Sequence, residues 1–553
     1  MEENKNHSLK EKKEENKENK ENKYIGSIVT LVLSIVFAFV VLISIQFIMG
    51  DETVTISNNK AEQYYYDGKF DEAINEYMLM QNDDVWPIWT VKAAEVYSVK
   101  GDITQSDNLL REAVVKRDKV MLEGGDKYIE QDQELINKVV FTFYINNELE
   151  QAESLGEYYL TTYSKYKPLL KTMFSVYLAN GNTKSAEEVV ASYPVDDESA
   201  YDLAILAKMQ IMLGNYDDGL NNLKKSYNLD KNEIKSFDVI METCEFDKST
   251  LLDEINKLSE ENPKEEAYQV WLEEINMLDE SKVNSTEGII SEINTSIDVD
   301  NLDEDSYVYN YVEAWNYYNK GQYDKALEAC NAAIVANPEY TNTFGILIPK
   351  ILIATENTDK VEGYFRTAIY NEPFNYNLIT SISRIYENDL KNYDKAKEAL
   401  NFALSLNKDE DVLYYNLAFV DLAIENTDEA ITNLKKAISV DENNYKYYRT
   451  LGTVYFNNKD YDKAIESIRK AYSLNEKDVL SLNNAACYYI MVEEDIWRGY
   501  SNIESAYNDM PSDLDQDLKD VITKNYEAIK KVYDKYVNDE STAIKIDNLE
   551  LVY

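Results

Sequence analysis

The sequence predicts an all-α chain: a superhelical α-α solenoid of helix-turn-helix repeats, preceded by one transmembrane helix. Three observations predict it. Turn formers are scarce, with 16 Gly and 8 Pro in 553 residues. One long stretch near the N-terminus is apolar and uncharged, and units of 34 residues recur in matching register towards the C-terminus.

So few glycines and prolines argue against an all-β or loop-rich chain and for helices joined by short connections. The formal net charge is −46. The seven Lys and seven Glu of residues 1–23 cancel, and residues 24–50 carry no charge, so the whole excess lies beyond residue 50. An acidic body repels nucleic-acid phosphate, which argues against DNA or RNA as a partner. It keeps the chain soluble and biases it towards basic partners. Cys244, Cys330 and Cys487 are far apart and odd in number, so they write neither a disulfide framework nor a clustered metal site and read as small core residues. His7 is the single histidine, and it sits in the charged tail. Mechanisms that need a His base or a His metal ligand are therefore excluded.

From Ile25 to Met49 the chain has no charged residue. As a helix this run is about 37 Å long, more than a bilayer core of about 30 Å. Apolar residues on every face suit lipid rather than a protein core. A cleaved signal peptide has a shorter apolar region ending in small residues, whereas here the run ends Gln46-Phe47-Ile48-Met49. Lys10, Lys12, Lys13, Lys17, Lys20 and Lys23 precede the run, and only Lys60 and Lys69 occur in the twenty residues after it. That asymmetry places the N-terminus in the cytoplasm and the body outside, as in an uncleaved signal anchor.

Residues 411–444 and 445–478 follow one another directly, with Leu417, Ala418, Ala430, Leu434 and Ala437 of the first in register with Leu451, Gly452, Ala464, Ile468 and Ala471 of the second. Residues 307–340 repeat the scheme with Ala314, Tyr317, Ala326, Cys330, Ala333 and Pro338. Alanine or glycine where two helices cross removes side-chain bulk, and a polar residue before the second helix caps it. These residues resemble the tetratricopeptide repeat, a 34-residue helix-turn-helix unit. The resemblance implies a superhelix, small residues at the helix crossings, and a concave wall lined by the first helix of each repeat. Residues 341–375, 376–410 and 479–513 fit with about one inserted residue each. Segments from 54 to 233 fit loosely, with Ala73, Ser106, Ala152, Ala186 and Gly219 at the crossing.

The resulting division is a charged cytoplasmic tail (1–23), a transmembrane helix (24–50), degenerate repeats (51–233), an irregular helical region with an acidic hinge (234–306), a repeat array (307–513) and a capping helix with a tail (514–553). The hinge is the run from Asp279 to Asp305. The capping helix follows from the apolar spacing of Leu514, Leu518, Val521, Ile522, Ala528, Ile529, Val532, Tyr533 and Tyr536.

No Gly-rich phosphate loop, paired-Cys motif or nucleophile elbow occurs in the sequence. The dense carboxylates read as a solvated face, and no cofactor, metal ligand or catalytic residue is assigned. What remains is surface. The resemblance assigns the concave positions of the array to Tyr311, Trp315 and Tyr318 in one repeat, Tyr415 and Phe419 in the next strong copy, and Lys446 and Arg449 in the last. Aromatic rings there would anchor a protein or peptide partner or else pack between repeats. The expected function is a membrane-anchored scaffold for protein interactions, not an enzyme. The rivals are a cytoplasm-facing adaptor of the same fold and an enzyme or regulator within 234–306.

Overall fold

The computed structural model describes residues 59–277, 302–539, 543, 544, 546 and 548–553. Among them are 25 α-helices and no strand. The first run is α1 (Lys60–Tyr66), α2 (Phe70–Asp83), α3 (Ile88–Val99), α4 (Ile103–Gly124), α5 (Ile129–Ile145), α6 (Leu149–Leu160), α7 (Lys167–Ala179), α8 (Thr183–Ser192), α9 (Ala200–Met212) and α10 (Tyr216–Leu229). Two further helices follow, α11 (Ile234–Glu261) and α12 (Glu266–Met277). The second run is α13 (Tyr307–Asn319), α14 (Tyr323–Ala336), α15 (Ile348–Ala354), α16 (Val361–Asn371), α17 (Tyr376–Arg384), α18 (Tyr393–Leu406), α19 (Asp411–Ala423), α20 (Thr427–Val440), α21 (Tyr445–Asn457), α22 (Tyr461–Leu474), α23 (Val479–Met491), α24 (Ile496–Asn508) and α25 (Gln516–Tyr536). The span expected at 24–50 and the tail at 1–23 lie outside the described residues. Among those described, no helix is long and apolar enough to cross a membrane.

The repeat is written in the backbone of its turns. Eleven hairpins turn through one residue at positive φ: Gly68, Gly101, Asn147, Gly181, Gly214, Gly321, Glu356, Lys391, Glu425, Lys459 and Glu494. In most of them two amides close back on the preceding helix, as where Lys459 N–H donates to the Phe456 carbonyl and Asp460 N–H to the Tyr455 carbonyl. This is the Schellman pattern, which satisfies the last carbonyls of a helix and needs a left-handed residue.

The crossing residues are sealed. Ala314, Ala326, Ala333, Ala418, Ala430, Ala437, Ala464 and Ala471 are each 0% exposed, as are Ala73, Ser106, Ala152 and Ala186 in the first run. A Cβ added at Gly452 would lie 2.8 Å from Ile468 Cγ1, so a side chain there would require Ile468 to shift. The extra residue of the 35-residue units has a visible location in two of them. Thr343–Leu347 and Ile385–Asp389 are π-helical turns, which take up one residue without breaking the helix.

Residues 234–277 form a helical pair that continues the first run. The α11 helix kinks at Asp247 and packs on α9, α10 and α12, and Trp271, Tyr268, Leu251 and Ile255 share one core with Leu220 and Leu223. The acidic run read as a hinge, Asp279–Asp305, lies largely outside the described residues.

The two runs do not stand apart. One apolar core extends from Ala61 to Val420, because α16 packs against α1 and α3 while α18 packs against α7. The middle of the chain thus fills the concave side of its own first run. Arg366 on α16 donates to Ser98 Oγ (3.1 Å) and Thr142 Oγ1 (3.0 Å), its guanidinium 4.7 Å from the centre of the Phe141 ring. Asn137 donates to the Tyr370 hydroxyl at 3.0 Å, and Phe174 meets Phe374 edge to face. Below α16, Glu372 is 1% exposed and is held by Lys235 (2.7 Å) and Lys208 (3.0 Å), both buried. Burial alone would raise the Glu372 carboxyl, but the two lysines outweigh it and hold it below the usual carboxylate range.

Candidate protein-interaction groove

The second run curves so that α19, α21 and α23 turn their inner faces towards one side, and α25 closes its end against α23 and α24. The α23 helix shows why this side is special. Its sequence, VLSLNNAACYYIM, is apolar except for a short polar centre. Asn483 and Asn484 are both 0% exposed, and so are Thr453 on α21 and Asn525 on α25. Buried amides are costly unless every polar atom finds a partner.

They bond one another, Asn525 donating to Asn483 Oδ1 at 2.8 Å and Asn484 to Thr453 Oγ1 at 2.9 Å, and they bond main chain. Residues 548–553 lie in the groove. Asn525 brackets Glu550, donating to its carbonyl at 2.8 Å and accepting from its N–H at 3.2 Å. Asn484 does the same to Val552 at 2.7 and 2.8 Å. Asn483 adds a second donor to the Glu550 carbonyl (3.0 Å), and Thr453 a second to the Val552 carbonyl (2.8 Å). The bracketed residues are two apart, the period of an extended strand read along one edge. Leu549 and Val552 are buried at 7%, whereas Tyr553 is 40% exposed.

Of the residues expected on the concave wall, Phe419 and Arg449 meet this segment. Phe419 lies edge-on to the Tyr553 ring at 6.1 Å. Arg449 donates to the Tyr553 carbonyl at 3.2 Å and is itself anchored by Asp478 at 2.8 Å. Tyr415 stands behind them, sharing a hydrogen bond with Thr450 and packing on Phe419 and Tyr447. Lys446 is half-buried beside them at the start of α21.

Tyr311 and Trp315 belong elsewhere. Each is 3% exposed, inside a run of rings that passes from Tyr340 through Tyr307, Tyr311 and Trp315 to Tyr318, which is half-buried against Tyr323. Of the two expectations for these rings, partner anchor or packing within the chain, their burial fits the second. The start of α11 covers this region: Tyr340 donates to Glu233, and Asn342 to Asp238 at 3.1 Å. Sequence reasoning did not find Asn483, Asn484, Asn525 or the segment they hold. The signal available was a pair of asparagines interrupting an otherwise apolar helix.

A second concavity lies where α9, α11 and α17 meet, a cavity of about 320 Å³ lined by Tyr216, Glu242, Asp247, Tyr376 and Glu410, among others. Burial first, then repulsion from Asp411, Asp247 and Glu245, pushes the Glu410 carboxyl up to about 9. Its Oε2 accepts from Asn407 at 2.8 Å. Among the described residues no group of His, Cys, Asp and Glu side chains is arranged to hold a metal ion.

Models of the tetratricopeptide repeat match residues 376–410, 412–444 and 445–478, the stretch from α17 to α22. No curated protein matches the chain. Among solved structures it is similar to yeast Tom70, with 13% identity over 87% of this chain and 96% of that one and a TM-score of 0.38. It is also similar to the Cut9–Hcn1 hetero-tetramer of the APC/C, with 12% identity over 85% and 95% and a TM-score of 0.34. For PilF of Pseudomonas aeruginosa the identity is 15%, over 41% of this chain and 96% of that one, with a TM-score of 0.30. The chain carries tetratricopeptide repeats, and its described part is an all-helical α-solenoid.

Proposed function

We propose that this protein is a membrane-anchored tetratricopeptide scaffold, without a catalytic role, that binds a protein or peptide partner in the groove of α19, α21, α23 and α25. The observation that carries the reading is the set of fully buried amides, Asn483, Asn484 and Asn525, which bond one another and Thr453 and also hold the main chain of residues 550 and 552. Groups so placed recognise an extended backbone, the general means by which a surface takes up a peptide strand. Phe419, Tyr415, Lys446 and Arg449 form the adjoining wall. Tyr311, Trp315 and Tyr318 pack within the chain and are not assigned to the partner.

Residues 24–50 supply the anchor. Their support is the sequence: no charge from Ile25 to Met49, and lysines concentrated on the N-terminal side, which hold that side in the cytoplasm. The body then acts outside the cytoplasm, where its charge of −46 favours basic partners.

Two experiments test this. A photo-crosslinking residue in place of Phe419, in the intact chain in cells, should capture a discrete protein whose yield falls when Asn484 is also changed to Ala. Capture that is indifferent to Asn484 counts against the groove. Protease added to intact cells should degrade the body. Survival of the body would reverse the topology and make the protein a cytoplasm-facing adaptor.

A further inference from the structure

We infer that the groove walled by α21, α23 and α25 takes an extended partner segment that is apolar at its first, third and fourth residues and aromatic at its fifth, and that Leu549–Tyr553 is an exchangeable resident which leaves when the partner binds. The inference rests on the scaffold reading above and narrows it to one ligand chemistry and one means of control.

The contacts themselves carry the first half. All the hydrogen bonds made by Asn483, Asn484 and Asn525 to residues 550 and 552 go to backbone N–H and carbonyl groups. Such bonds hold any extended chain, so the groove is not specific to this segment's own residues. Selectivity comes from what is buried. Leu549 and Val552 enter the groove, Lys524 lies 3.3 Å from the Glu550 carboxylate, and Phe419 and Asn457 receive the Tyr553 ring and hydroxyl. Leu551 is half-buried and packs on the same cores, so the preferred segment reads apolar, acidic, apolar, apolar, aromatic.

The second half follows from how the segment is attached. The α21–α22 and α23–α24 hairpins pack on each other, and α25 packs on α24 and α23. The segment itself adds no helix to this stack, and residues 537–548 tether it to α25. A short tether gives it an effective concentration of about 1 mM, so an incoming peptide must compete with it. A groove that needed only a lid would be covered as well by apolar side chains. The four fully buried polar side chains satisfy one another in part, and main chain lying over them, or water when it leaves, supplies the remaining partners.

Cys487 provides a reporter. It is 0% exposed, and its sulfur lies 3.5 Å from the Glu550 carbonyl and 3.5 Å from Asn525 Nδ2, so the resident segment covers it directly. Burial pushes its thiol, like that of Cys330, far above the usual range. Cys330, on α14, is remote from the groove and reports the overall fold.

The test is alkylation of the full chain with N-ethylmaleimide, followed at each cysteine by mass spectrometry. Two variants release the segment without touching the groove. Val552→Asp puts a charge at a buried position, and Glu550→Pro removes the N–H that Asn525 accepts. Cys487 should react at least about tenfold faster in both, with Cys330 unchanged, and excess synthetic peptide of residues 548–553 should restore its protection. An unchanged Cys487 rate would overturn the exchange. Faster reaction with no protection by the peptide would overturn the peptide site, while the scaffold reading would still be judged by crosslinking from position 419. Should a variant also expose Cys330, fluorescein-labelled peptide titrated into the unsubstituted chain, to well above the ~1 mM at which the resident competes, decides. Saturable binding lost on Asn484→Ala supports the inference, and no binding refutes it.

Discussion

Replacing Glu372 tests how the two runs of helices are held together. The carboxylate is 1% exposed, and among the described residues it is the only one ion-paired with both Lys208 (3.0 Å) and Lys235 (2.7 Å). Lys208 has a second partner in Glu242 at 2.6 Å, so the loss falls mainly on Lys235. Removing one member of a buried pair leaves a charge without compensation and costs about 3–5 kcal/mol. Glu372→Leu should therefore weaken this junction by that amount. Long repeat arrays need not unfold in one step, so the assay is native-state hydrogen exchange rather than a single melting temperature. At about 1.4 kcal/mol per factor of ten, amides of α9, α11 and residues 367–378 should exchange about 10² to 4 × 10³ times faster. Adding Lys235→Met to Glu372→Leu removes the stranded charge and should recover at least half of the loss, because a well-packed apolar replacement of both partners is close to neutral. Glu372 is held below the ordinary carboxylate range, so its contribution is present above that range and is lost as pH falls through its own lower value. The reasoning is refuted if Glu372→Leu changes exchange by less than about fivefold, about 1 kcal/mol, or if the double variant is no better than the single.

Other outcomes follow from single residues. The Glu410 carboxyl is pushed up to about 9, so between the ordinary carboxylate range and that value the folded chain keeps a proton that the unfolded chain has lost. Stability should fall by up to about 1.4 kcal/mol per pH unit from this group as pH rises through that window, and Glu410→Gln should flatten the dependence when opening free energies of α17 and α19 from hydrogen exchange, corrected for the intrinsic rate, are compared across it. Lys459 occupies a left-handed turn position at φ 63°, where glycine is preferred. Lys459→Gly should slow hydrogen exchange in α21 and α22 by an amount equivalent to about 1 kcal/mol. Gly68 and Gly101 have the same backbone, but an added Cβ meets nothing at Gly101 and lies 2.3 Å from the Asp359 carbonyl at Gly68. Gly101→Ala should cost about 1 kcal/mol, and Gly68→Ala about 1–3 kcal/mol more, with faster hydrogen exchange in α1 and α16. Equal effects of the two would show that the contact with residue 359 carries no load.

The sequence by itself determined the repeating unit, because everything that defines it is local. Ala418, Gly452 and Ala464 are small because two helices cross at them, and that crossing involves residues close in the chain. The turn positions recur for the same reason, and the one-residue insertions in 341–375 and 376–410 were readable as breaks in register, although their π-helical form was not. On the concave wall, Phe419 and Arg449 could be placed by repeat position alone. What covers each concave wall was decided only by tertiary structure. Curvature accumulates over successive repeats, so residues far apart in sequence meet: Arg366 reaches Ser98 and Thr142, α11 covers the end of the aromatic run that buries Tyr311 and Trp315, and Val552 reaches Asn484. Periodicity reports which side of a helix is apolar or polar, and it is silent on whether solvent, a partner or another part of the same chain lies against that side.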